Sequence, residues 1–84
     1  MKIKFSILTD VDLYESDAIF WPHSFLPKVG DRIIIEAFLD FGDDYEMANF
    51  VSCFMFEVTE ILWSVEYVIL GMEKSNDRPY KTNG

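Results

Sequence analysis

The sequence predicts a small all-β domain whose short strands close into a barrel. Its 84 residues are 50% hydrophobic and 17% aromatic, which suits one folded domain and argues against a disordered chain. The apolar residues fall in short runs that are rich in β-branched and aromatic side chains, and such runs favour strands. A closed barrel of four or five strands has no exposed edges, whereas a flat sheet of this hydrophobicity would present its edges to other chains.

The first strand is predicted at residues 2–7, where polar and apolar residues alternate with the period of two that is typical of a half-buried strand. The alternation stops at residues 10–28, which contain four acidic residues and two prolines. Because this loop is also rich in aromatic residues, we expect it to fold back onto the domain. Its apolar centre, residues 19–21, is a candidate for a short strand.

A turn is predicted at residues 29–31, because glycine at the centre of Val29-Gly30-Asp31 readily adopts a positive φ. The three isoleucines that follow it predict a strand over residues 32–41. Residues 43–52 leave an alternative open, since Asp43 or Asp44 would cap a helix there. With that helix the domain would belong to the α+β class.

Two further strands are predicted at residues 50–59 and 65–72, as antiparallel neighbours with a turn around residues 62–64. Both segments are rich in β-branched and aromatic residues. From residue 74 onward the sequence is polar. The domain is therefore predicted at residues 1–73, followed by a polar C-terminal tail at residues 74–84.

The order of these features resembles a Src-homology-three-like (SH3-like) barrel, which has a first strand, a long acidic loop, a turn and consecutive antiparallel strands. The turn Lys28-Val29-Gly30-Asp31 is similar to that of many such barrels, including short uncharacterised bacterial proteins. The resemblance implies a five-stranded barrel. It does not imply that the chain binds proline-rich peptides, because Trp63 is followed by Ser64 where the signalling members carry a tandem tryptophan pair.

The charge of the chain is unevenly distributed. Fifteen acidic and seven basic residues give a net charge of −8, and nine of the acids but none of the basic residues lie in residues 33–73. A chain this acidic repels nucleic acids and anionic membranes, so neither is expected as a partner. The same charge would complement the surface of a basic protein.

No motif indicates an enzyme, and we expect neither a catalytic site nor a cofactor. His23 is the only histidine and Cys53 the only cysteine, which argues against a typical zinc site and rules out an internal disulfide. Cys53 lies in an apolar run and is expected to be buried. Two acidic loops, at residues 10–17 and 40–46, offer carboxylates to a cation, but the ligand order of an EF-hand is absent and solvated loops are commoner, so we expect no metal.

We expect a non-catalytic module for protein–protein interaction, which binds another protein or a second copy of itself as a homodimer. The excess of aromatic residues and the acidic middle of the chain support this expectation. The alternative is a small acidic inhibitor or immunity-type protein that blocks a basic partner. The candidate partner-binding residues are the aromatic residues Tyr14, Trp21 and Trp63 and the acidic residues Asp43, Asp44 and Glu46.

The cellular location expected from the sequence is the cytoplasm. A single cysteine fits a reducing compartment, and the first residues lack the continuous apolar stretch of a signal peptide. No uncharged stretch approaches the length of about 20 residues that spans a bilayer as a helix.

Overall fold

A computed structural model of the protein describes residues 1–79, which form six β-strands, one α-helix and one short 3-10 helix. In chain order these elements are β1 (Lys2–Leu8), β2 (Leu13–Glu15), β3 (Ile19–Phe20), β4 (Arg32–Ile33), the 3-10 helix (Ile35–Ala37), α1 (Tyr45–Cys53), β5 (Phe54–Trp63) and β6 (Val68–Pro79).

All six strands belong to one mixed sheet with the order β2-β1-β6-β5-β4, and β3 also pairs with β1. The pairing of β1 with β6 is parallel, and the other pairings are antiparallel. Within residues 1–79, β2 and β4 are the two ends of the path and do not pair with each other, so the sheet is open. The domain is thus rich in β-structure as predicted and contains one short helix, but the closed five-stranded barrel is not confirmed.

The core lies on one face of this sheet, and β1 contributes three of its residues. Ile3, Phe5 and Ile7 of β1 have no exposed surface, whereas the polar residues between them are partly exposed. The predicted alternation in the first strand is therefore confirmed. Leu70 and Met72 of β6 lie opposite Phe5 and Ile7 in the register and are equally buried.

The long acidic loop folds back onto β1, as predicted, and supplies two short strands. β2 pairs with the second half of β1 and β3 with its beginning, so the short strand expected at residues 19–21 is present at Ile19–Phe20. Between β2 and β3, Ser16 joins the loop to β1, because its hydroxyl accepts a hydrogen bond from the Phe5 amide at 2.9 Å. Ser16 is buried, and its own amide donates to the Phe5 carbonyl.

The strand predicted at residues 32–41 is wrong beyond Ile33. Ile33 lies opposite Phe56, so a longer strand would soon pass the start of β5 at Phe54 and find no partner. The chain turns instead into the 3-10 helix, which places Ile35 in the core. Three apolar residues that follow pack against that core: Phe38, Leu39 and Phe41.

The helix considered for residues 43–52 is present as α1, and the strand predicted to begin at residue 50 begins instead at Phe54. The apolar residues Met47 and Val51 are four positions apart, which places both on one side of a helix, and both are buried. Cys53 is the last residue of α1 and is half-buried, whereas the sequence predicts a buried residue in a strand.

The antiparallel pairing of the last two strands is confirmed, with β5 beside β6. Their turn lies at residues 64–67 and not at residues 62–64, because Trp63 still pairs with Val68 and the Ser64 amide donates to the Tyr67 carbonyl. Gly30 has the positive φ expected of its turn, at 98°.

Strand β6 continues through Pro79, which takes it past residue 73 and into the segment assigned to the tail by sequence. Residues 80–84 of that tail lie outside the described residues. None of the helices in the described part of the chain has both the length and the apolar composition needed to cross a bilayer.

Candidate protein-interaction surface

Three of the six candidate residues lie together in a groove of about 330 Å³ between the loop after β1 and the first half of α1. We call it the acidic groove. It is lined by Thr9, Asp10, Val11, Asp12, Leu13, Tyr14, Asp44, Glu46, Met47 and Phe50. The two acidic loops recognised in the sequence therefore meet in space.

Most of the carboxylates in the acidic groove have roles in the local structure. Asp44 is the N-cap of α1 and accepts a hydrogen bond from the Met47 amide at 3.1 Å. Asp12 accepts from the Leu13 amide at 2.7 Å, and Asp10 forms an ion pair with Lys74 at 3.0 Å. Glu46 lies in the first turn of α1, where a negative charge interacts favourably with the helix dipole.

These roles lead to a prediction for Asp44. The Asp44→Ala substitution should lower the free energy of unfolding by about 1 kcal/mol, because it leaves a helix donor without its acceptor. Asp44→Asn keeps an oxygen acceptor and should retain most of the stability. Urea denaturation of both variants measures the difference, and equal losses would show that the charge of Asp44 matters more than its hydrogen bond.

The remaining acidic candidate, Asp43, is exposed and does not line the groove. Within residues 1–79 no three or more His, Cys, Asp or Glu side chains come together in an arrangement that could hold a metal ion. Tyr14 is half-buried, and its ring lies against that of Phe41 at a centroid distance of 5.4 Å. The tyrosine thus forms the inner wall of the groove and is held by the core.

Trp21, another candidate partner-binding residue, lies in the core. It is only 6% exposed, and its ring stacks on Phe38 with centroids 5.0 Å apart. The indole nitrogen donates a hydrogen bond to the Phe25 carbonyl at 3.0 Å. Trp21 also lines one side of a shallow groove of about 500 Å³ beside His23 and Arg32. Its main contacts nevertheless stabilise the fold.

Trp63, in contrast, is 69% exposed at the end of β5. It lies opposite Val68, which is buried, but it occupies the outer of the two strands and lies at the end of the sheet. Leu62 is 48% exposed and Val65, at the tip of the turn, is fully exposed. We call these three side chains the hairpin patch. The sequence missed Leu62 and Val65 because it placed the turn too early and could not show where the core ends.

The same strand has an unpaired side. On one side β5 pairs with β6 along its whole length, but on the other side β4 pairs only with Phe56 and Glu57. Val58 makes the last backbone hydrogen bonds there, with Gly30 and Asp31. In the described part of the chain, nothing pairs with that side of residues 59–63, which we call the free edge.

The direction of the backbone groups along the free edge follows from the ladder. The Ser64 amide bonds to the Tyr67 carbonyl, and hydrogen-bonded pairs occur at every second residue of an antiparallel ladder. Leu62 therefore also exchanges hydrogen bonds with Ile69 of β6, whereas its two neighbours in β5 do not. The amide and carbonyl groups of Ile61 and Trp63 therefore face away from β6. The prediction of a closed barrel gave no reason to expect such an edge.

No family model, no curated protein and no solved structure matches the chain. Its function is therefore inferred from the hairpin patch, the free edge and the acidic groove.

Proposed function

We propose that the protein is a non-catalytic module that binds another protein through the hairpin patch. The observation that carries this proposal is the exposure of Leu62, Trp63 and Val65 within four consecutive positions at one end of the sheet. Leu62 and Trp63 are neighbours in β5, so their side chains lie on opposite faces, and a partner would hold the end of the hairpin from both. Exposed apolar side chains concentrated in one place on a soluble domain are typical of interaction sites. Tryptophan in particular is enriched among the residues that contribute most to protein–protein binding.

The proposed partner has a basic surface. The chain carries a net charge of −8, and residues 33–73 contain no basic residue. Opposite charges accelerate the encounter of two proteins and disfavour partners of the same charge. For a second copy of this chain the electrostatic term is repulsive, so the charge favours a different protein over a homodimer. A reducing compartment such as the cytoplasm suits the single, half-buried thiol of Cys53.

A capture experiment tests the role of the hairpin patch. The variant with Trp63→Ser and Val65→Ser should fold but lose the partner that the unmodified chain retains from a lysate of its native organism. The control variant, Phe25→Ser with Tyr45→Ser, removes side chains that are 80% and 75% exposed elsewhere. It should retain the partner. Capture of the same proteins by both variants would contradict the proposal.

A small acidic inhibitor remains the second candidate, because the acidic groove brings both acidic loops to one place. Such a protein would block a basic active site, and its binding would weaken steeply with salt, since ions screen exposed charges over about 10 Å at 0.1 M. Glu46→Lys should then reduce binding more strongly than Trp63→Ser does. If only the tryptophan substitution reduces binding, the interaction module is supported and the inhibitor is not.

A further inference from the structure

The free edge of β5 offers a second kind of recognition beside the apolar side chains of the hairpin patch. Ile61 and Trp63 direct backbone donors and acceptors away from β6, and the described residues supply no partner for them. A row of such groups is a template for one more strand. Trp63 is exposed, and Ile61, which is half-buried against the core, lies between exposed residues, so an incoming chain can reach this edge.

We propose that the free edge binds an extended, basic segment of the partner as an added β-strand. This inference rests on the proposed function and specifies how the partner is held. Backbone hydrogen bonds to Ile61 and Trp63 would supply affinity that does not depend on sequence, and side chains on the two faces would supply specificity.

The pattern of the incoming segment follows from the side chains on the two faces of β5. Ile61 and Trp63 lie on the same face as the buried residues Leu70 and Val68, so they favour apolar neighbours. Glu60 lies on the opposite face, where a basic neighbour would form a favourable cross-strand pair. A segment in which basic and apolar residues alternate satisfies both faces.

The charge around the edge argues for a basic segment and against a second copy of this chain. Residues 54–70 include Glu57, Glu60 and Glu66 and no basic residue. The side chain of Glu60 lies directly over Gly71, with its Cγ atom 2.7 Å from where a Cβ on that glycine would be. The side chain thus leans toward β6, and because it is exposed, a lysine on an added strand would draw it across the outer face of β5. Pairing two copies would bring two such acidic strands together.

The test uses a short synthetic peptide of alternating lysine and valine, acetylated and amidated at its ends, with binding followed by NMR of the full chain. We expect the largest shifts at the amides of Ile61 and Trp63. Two further peptides carry N-methyl groups on alternate residues, one on the odd and one on the even positions. In an added strand only one of these sets faces β5, so one peptide should lose binding and the other should retain it.

Several outcomes would overturn the inference. If the unmodified peptide does not bind, or if both N-methylated peptides bind as well as the unmodified one, the edge is not a strand-binding site. If light scattering shows a dimer and hydrogen exchange shows that the Ile61 and Trp63 amides are protected in it, the partner is wrongly assigned. In each case, loss of the captured protein in the Trp63→Ser and Val65→Ser variant would still support the proposed function.

The charge preference has its own matched pair of variants. Glu60→Lys should weaken binding of the unmodified peptide by about tenfold, because it replaces an attractive cross-strand pair with a repulsive one. Glu73→Lys changes the net charge equally but lies on β6, opposite Glu57, and should weaken binding by less than about twofold because the pair is more distant. Equal weakening by both variants would show that only the overall charge is recognised.

Discussion

Replacing Trp21 with alanine should lower the free energy of unfolding by about 3–5 kcal/mol, whereas Trp63→Ala should change it by less than about 0.5 kcal/mol. The difference follows from burial, since Trp21 is 6% exposed and Trp63 is 69% exposed. The buried indole also stacks on Phe38 and donates a hydrogen bond to the Phe25 carbonyl, and the alanine variant loses both contacts.

Urea denaturation of the two alanine variants measures this contrast. Because small domains are stable by only about 5–15 kcal/mol, Trp21→Ala should shift the unfolding midpoint by a large fraction of its value. Trp21→Phe is the control that keeps most of the apolar volume and should recover part of the loss. A similar loss of stability in the Trp63→Ala variant would contradict the description of that residue as surface available for binding.

Ser16→Ala is the second substitution with a large expected effect, a loss of about 1–3 kcal/mol. The Ser16 hydroxyl accepts from the Phe5 amide and donates to the Asp17 carbonyl, and the residue is buried. Without the hydroxyl, the Phe5 amide would lie in the core with no acceptor. This unsatisfied donor is costly because water cannot replace the serine.

The matched control for this substitution is Ser24→Ala, at an exposed position in the same long loop. It should change the stability by less than about 0.5 kcal/mol. Thermal and urea unfolding compare the two variants. If Ser16→Ala were as mild as Ser24→Ala, then Ser16 would not connect the loop to β1 in the way described.

The features that sequence predicts best are those that depend on neighbouring residues. The alternation around Phe5 predicts β1, and Gly30 predicts a turn because its conformation is a local property. Asp44 likewise indicates the start of a helix, but the β-branched and aromatic residues that follow it also fit a strand. Only the packing of Met47 and Val51 on the core decides in favour of α1.

The features that sequence misses depend on contacts between distant segments. The isoleucine run ends its strand at Ile33 because β5 provides no partner beyond Phe54. The parallel pairing of β1 with β6 brings together the first and last strands of the described chain, and no local sequence pattern predicts it. For the same reason the acidic residues could be recognised as two loops, whereas their meeting in one groove could not.

The two tryptophans show how far the sequence alone can predict the candidate site. Both occur in apolar runs with nearby acidic residues, and composition alone makes each a candidate for binding. Their roles differ because Trp21 lies in a loop that folds over the core, whereas Trp63 lies where the sheet extends past the core. The free edge beside Trp63 arises because the chain before β4 meets β5 only as far as Val58, through Gly30 and Asp31, and no local sequence pattern shows this.

Amide hydrogen exchange along β5, followed by NMR at low protein concentration, tests the central claim most directly. The claim is that residues 59–63 form an open edge that is available to a partner. The account predicts slow exchange at Leu62, whose amide bonds to β6, and much faster exchange at Ile61 and Trp63, whose amides face solvent. Equal protection of all three amides would show that the edge is already covered and would contradict the account.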